Sequence, residues 1–198
     1  MIKITGSALL KFYLYLISLI TLTVAMFSGA VVIKAATSYF VPKQFSYVLY
    51  EVNTKDAIKQ AEVDGYELEE CYSGKAINID DKKFCWDENE RKQDLINGIA
   101  IFSSMMILFG LHQLGIKKTK KLETPKWLVK SYTILSLLVY SITGLIAIPT
   151  AIYQTTNYFL TEDLTTLYYA PAYSIALVIL VLPLWFIFFN KTLNLKDE

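Results

Sequence analysis

One histidine and two cysteines are all that this 198-residue chain offers to most metal and thiol chemistry. His112 lies in Phe109-Gly-Leu-His-Gln-Leu-Gly115. A catalytic or ligating imidazole needs a second group to fix its tautomer, and no carboxylate is within reach by sequence. An interfacial histidine is expected instead. Cys71 and Cys85 enclose 13 residues, which fits neither Cys-x-x-Cys nor a zinc-ligand spacing. The choice is between a structural disulfide and two free thiols, with the disulfide expected. Closing a loop of that size stabilises by about 3 kcal/mol in the chain-entropy model. Glu67, Glu69 and Glu70 cluster without the calcium-loop spacing, so a solvated acidic face is expected. Gly-x-Ser-x-Gly, His-Glu-x-x-His and phosphate-binding glycine loops are absent. No catalytic residue, cofactor or metal is expected.

The charge that does cluster is basic. Lys117, Lys118, Lys120, Lys121 and Lys126 fall within ten residues, and Lys130 follows. Such a cluster beside a membrane attracts anionic headgroups, at about 1 kcal/mol per lysine near the surface. With a formal net charge of only +1 there is no basic surface for a nucleic acid.

These residues are positioned by long apolar segments. Hydrophobic residues make up 54% of the chain, and they are grouped. Lys11 to Lys34 encloses 22 uncharged residues, Asp94 to Lys117 22, Lys130 to Glu162 31, and Asp163 to Lys191 27. A bilayer core about 30 Å thick is crossed by about 20 apolar residues. A buried helix of a soluble protein rarely runs so far without charge. The expected fold is an all-α, four-helix transmembrane bundle with a small extracytoplasmic insertion. The first segment exceeds the length of a signal-peptide core and reads as a retained helix.

The lysine-rich connection between the second and third spans contrasts with the third-to-fourth connection, which carries only Glu162 and Asp163. The positive-inside rule puts the lysines and both termini in the cytoplasm, and residues 43–92 outside. There disulfides persist. Within that insertion, Asn53-Thr54 is a cap signal for a short helix over 55–62, and residues 44–52 alternate too poorly for a firm strand. Residues 87–94 contain no Gly or Pro and extend the second span outward as helix.

Placing residues 10–40 over 129–159 gives 8 identities in 31, among them Lys11/Lys130, Tyr13/Tyr132 and Tyr39-Phe40/Tyr158-Phe159. Two parallel hairpin repeats follow as an expectation: 8–117, with the insertion at about 43–92, and 127–192, joined by a linker at 118–126. Ala25-x-x-x-Gly29 and Ala147-x-x-x-Ala151 are candidate close-packing faces. Pro149 and Pro183 each remove a helix hydrogen bond and are candidate kinks. Tyr39, Phe40, Tyr153, Tyr158, Tyr168, Tyr169 and Tyr173 suit an outer aromatic belt; Tyr13, Trp127, Tyr132 and Trp185 suit an inner one.

The segment Phe12-Tyr-Leu-Tyr-Leu-Ile-Ser-Leu19, with Arg91 and then Ile99-Ala100 to His112, resembles a bacterial multi-pass membrane domain family of unknown function. That family has paired hairpins, an aromatic first span and a histidine closing the second. The fourth span departs from it, with Phe188 in place of a second histidine. The resemblance implies a bacterial plasma-membrane location and no activity.

The leading expectation is a non-enzymatic interaction or accessory protein of the cell envelope, with the bilayer, a membrane or envelope partner, or a second copy as its contacts. The rival is a small transporter or channel subunit acting as an oligomer. It requires Ser18, Thr21, Ser28, Ser136, Ser141 and Thr143 to converge on one cavity.

Overall fold

The structure, a computed structural model, describes residues 6–41, 43–47, 50–51, 74–79, 82–119, 125–160 and 170–195, and for 43–44, 50–51, 74–79 and 82–87 the backbone alone. In chain order the elements are α1 (Gly6–Thr37), α2 (Lys43–Ser46), β1 (Tyr50–Glu51), β2 (Gly74–Ile79), β3 (Lys82–Asp87), α3 (Glu88–Lys118), α4 (Lys126–Leu160) and α5 (Ala172–Asn194). Among the described residues α1, α3, α4 and α5 are long and apolar enough to cross a membrane. The chain is an integral membrane protein with a four-helix bundle.

The helix boundaries follow from local chemistry. After α1 the backbone tightens, with Tyr39 N–H donating to the Ala36 carbonyl at 3.2 Å and Phe40 N–H to that of Thr37 at 2.9 Å. Pro42 then forbids further helix. Glu88 and Glu90 occupy the first turn of α3, and Lys117 and Lys118 its last. Both pairs complement the helix dipole and stabilise its ends. Pro125 and Pro171 immediately precede α4 and α5, where a missing N–H costs nothing. The Pro171 carbonyl accepts from Ile175 N–H at 3.0 Å.

Helix α1 is the centre of the bundle. It packs along α3 on one side and α5 on another, α4 pairs with α5, and α1 meets α4 only sparsely. The result is a three-helix core of α1, α4 and α5, with α3 added to one flank of α1. Leu19, Met26 and Ala30 of α1, Tyr140 and Ala147 of α4, and Ala176, Leu177, Val181 and Phe188 of α5 form the buried cluster. Close approach depends on small residues. A Cβ on Gly29 would stand 3.2 Å from Leu180 Cδ1 and 3.3 Å from Phe102, so α1, α3 and α5 meet there. Ala25, Ala147 and Ala151 are likewise buried in the described contacts.

A pseudo-twofold exchanging the two hairpins would need an α3–α4 contact to match α1–α5. No comparable contact exists among the described residues. Residues equated by the repeat also differ in setting: Lys11 is 2% exposed, whereas Lys130 is exposed. The duplication stays an expectation from the sequence.

Outside the spans, β1, β3 and β2 form an antiparallel sheet in that order. Tyr50 pairs with Cys85, and β2 pairs with β3 from Gly74↔Asp87 to Ile79↔Lys82. The expected outward extension of the second span is present, because α3 begins at Glu88 directly after β3. The expected helix at 55–62 lies outside the described residues, as do Glu67, Glu69 and Glu70.

Candidate functional site

Three polar or open regions stand out, one at each depth. At the end that carries the sheet, Lys34 Nζ of α1 donates to Asp94 Oδ2 of α3 at 2.9 Å. The Tyr47 hydroxyl donates to the same oxygen at 3.1 Å, and Lys34 Nζ lies 4.0 Å from the Tyr47 ring centroid. Burial, and then the Asp94 charge and its hydrogen bond, hold the Tyr47 phenol well above the usual tyrosine range. One turn further out Arg91 pairs with Glu88, and its guanidinium stacks 4.0 Å over the Tyr39 ring. This cluster fastens α1, α3 and the segment after α2 at the membrane boundary. Its partners are 60 and 47 residues apart in sequence, so spacing gave no sign of them.

At mid-depth a groove of about 500 Å³ runs between α4 and α5. Ser141, Gly144, Leu145 and Pro149 line one side, and Val181 and Trp185 the other. Trp185 Nε1 donates to Ser141 Oγ at 2.9 Å, so the indole N–H of one wall is satisfied by the other. A Cβ added to Gly144 would meet nothing within 4 Å. Leu145 at the rim is 74% exposed, which opens the groove to lipid. Trp185 was expected in the inner belt, but it is a groove wall, stacked on Phe189 at 4.9 Å. Its N–H is used inside the protein, which removes the reason for an indole to seek headgroups. Tyr132 also leaves the belt, with its ring 4.8 Å from Tyr15 and 5.8 Å from Phe188.

Of the six hydroxyls required by a transport path, Ser141 alone lines the groove between α4 and α5. Thr21, Ser28, Ser136 and Thr143 each donate to a carbonyl one turn back on their own helix, at 2.8–2.9 Å. Ser18 accepts from Gln113 Nε2 at 2.6 Å, tying α1 to α3. Pro149 and Pro183 both lie inside continuous helices, and Pro149 is part of the groove rim.

At the end away from the sheet Lys117 and Lys118 close α3, while Lys126 and Lys130 open α4, all four exposed. Lys120 and Lys121 lie outside the described residues. Lys11 is buried close by on α1. His112 Nδ1 sits 2.7 Å from the Leu108 carbonyl of its own helix, and the ring is 5.8 Å from Tyr13. Cys85 belongs to β3, but its side chain and all of Cys71 lie outside the described residues. No group of three His, Cys, Asp or Glu side chains that could hold a metal occurs among the described residues.

No protein family, curated protein or solved structure matches this chain. What the fold defines is a four-span integral membrane protein, with a small sheet carried directly on its second span.

Proposed function

We propose that the chain is a non-enzymatic interaction or accessory protein of a bacterial plasma membrane, with both termini and the lysines inside. The continuity of β3 into α3 carries this reading. It fixes a small sheet to the end of a membrane helix, and the Lys34–Asp94 ion pair at that junction holds its base to α1. A rigidly mounted sheet outside the bilayer suits recognition of another envelope protein, while the lysine face anchors the opposite side on anionic lipid. Cys71 and Cys85, bonded, would close the outer segment further.

Native mass spectrometry of the full chain, released from nanodiscs with and without reductant, tests the proposal. A monomer, or a stoichiometric complex with a second envelope protein, is the expected result. A closed homo-oligomer retaining a small ion or solute would overturn it in favour of a transport subunit.

A further inference from the structure

The groove at Gly144 and the lysines at the start of α4 share one helix face. Lys130, Ile134, Leu137, Ser141 and Gly144 recur at the four-and-three spacing of a single stripe, and Lys126 lies one turn before Lys130. At 1.5 Å rise per residue, Ser141 stands about 16 Å from Lys130 along the axis. The bilayer core is about 30 Å thick, so half of it is about 15 Å. With the Lys130 ammonium at the headgroup boundary, the groove begins where the lipid tails of that leaflet end. Ile134, between them, is exposed.

Each end of this face has a stated chemistry. Lys126 and Lys130 are exposed cations. The groove is lined predominantly by carbon, and its Trp185 N–H is bonded to Ser141. Its volume of about 500 Å³ lies within the range of about 300–1,000 Å³ typical of ligand sites. Glycine is poor in a helix interior, by about 1 kcal/mol against alanine. Among the described residues no atom packs against the open side of Gly144 to require it.

We propose that an anionic phospholipid of the lysine-bearing leaflet is held on α4. Its headgroup sits at Lys126 and Lys130, and the end of one acyl chain lies in the groove floored by Gly144. The headgroup half rests on the lysine-face reading above; the chain half rests on the groove alone. Phosphate oxygens accept from the two ammonium groups, and a neutral zwitterionic lipid gains less there because its own cation repels them.

The test uses Trp185 as reporter in the full chain with Trp86→Phe and Trp127→Phe, reconstituted into phosphatidylcholine vesicles. Chain-brominated phosphatidylglycerol or chain-brominated phosphatidylcholine is then added as quencher. The expected result is a preference of about tenfold for the anionic quencher at Trp185, equivalent to about 1.4 kcal/mol. Lys126→Ala with Lys130→Ala reduces that preference to parity. Gly144→Phe, with Ile148→Trp in a second Trp185-independent mass-spectrometric retention assay, excludes the chain. Equal quenching by the two lipids in the parent, or a groove-filling variant without effect, overturns the proposal. A parallel chain that keeps Trp127 and carries Trp86→Phe and Trp185→Phe reads the lysine face separately. Preference at Trp127 without preference at Trp185 removes the groove site and leaves the lysine reading intact; loss at both removes both.

Discussion

Alanine in place of two glycines should give opposite signs of stability change. In Gly98→Ala the new Cβ would stand 2.9 Å from Val32 Cγ2 and 3.3 Å from the Val32 backbone nitrogen. Val32 is β-branched and part of a helix, so its side chain has little rotameric escape. The contact must open at a typical overpacking cost of about 1–3 kcal/mol. In Gly144→Ala the Cβ enters open space. Both substitutions gain helix propensity of about 1 kcal/mol at most, and that gain cancels in their difference. The predicted gap is therefore the overpacking term itself, about 1–3 kcal/mol, or roughly five- to 150-fold in the folding equilibrium. Reversible unfolding of each variant in mixed micelles, with dodecyl sulfate as denaturant and tryptophan emission as signal, measures it. Gly98→Ala equal to or more stable than Gly144→Ala would refute the assigned α1–α3 contact.

Three further outcomes follow from the outer cluster and the insertion. Asp94→Asn leaves Lys34, a partly buried cation, without its carboxylate, and should cost about 1–3 kcal/mol in the same assay; Asp94→Leu combined with Lys34→Met should recover part of it. Because the Tyr47 phenol is raised above its unfolded value of about 10, its contribution is complete below pH 10 and lost as pH rises beyond that. Tyr47→Phe should accordingly be less stable than the parent at neutral pH and converge with it under strong alkali, read from micellar unfolding across pH. Intact mass of the purified protein should rise by two hydrogen atoms on reduction, and the Cys71→Ser variant should show no such change if the two thiols are bonded.

The spans were legible because hydrocarbon imposes a one-dimensional rule. A helix crossing it must be long and uncharged, and the charge-free runs bounded by Lys11, Asp94, Lys130 and Lys191 record that directly. The outward start of α3 was legible for a similar local reason, an unbroken polar stretch before an apolar one. The strands β2 and β3 were not. Lys82-Lys-Phe-Cys-Trp-Asp87 places three apolar residues in succession instead of alternating them, and such a strand is specified by its cross-strand partners. The groove was equally silent. Gly144 in the sequence is one of eight glycines, and only packing separates it, in open space, from Gly98, pressed against Val32. Trp185 reads as a belt residue until its hydrogen bond to Ser141 is seen.

The central position of α1 has a consequence in time. It buries Lys11, Ser18, Thr21 and Ser28, yet it precedes the other three spans in the chain, and α5, one of its principal neighbours, begins 135 residues after it ends. At synthesis rates of about 5–20 residues per second, that interval is roughly 7–27 s. Of the three spans that follow, α3 is made first, so it is the earliest long helix able to shield the polar face of α1 from lipid. The flanking helix that contributes least to the finished core is thus the one that escorts its centre through assembly. A slow-translating stretch within α3 would prolong the exposure, whereas one placed after Lys118 would not.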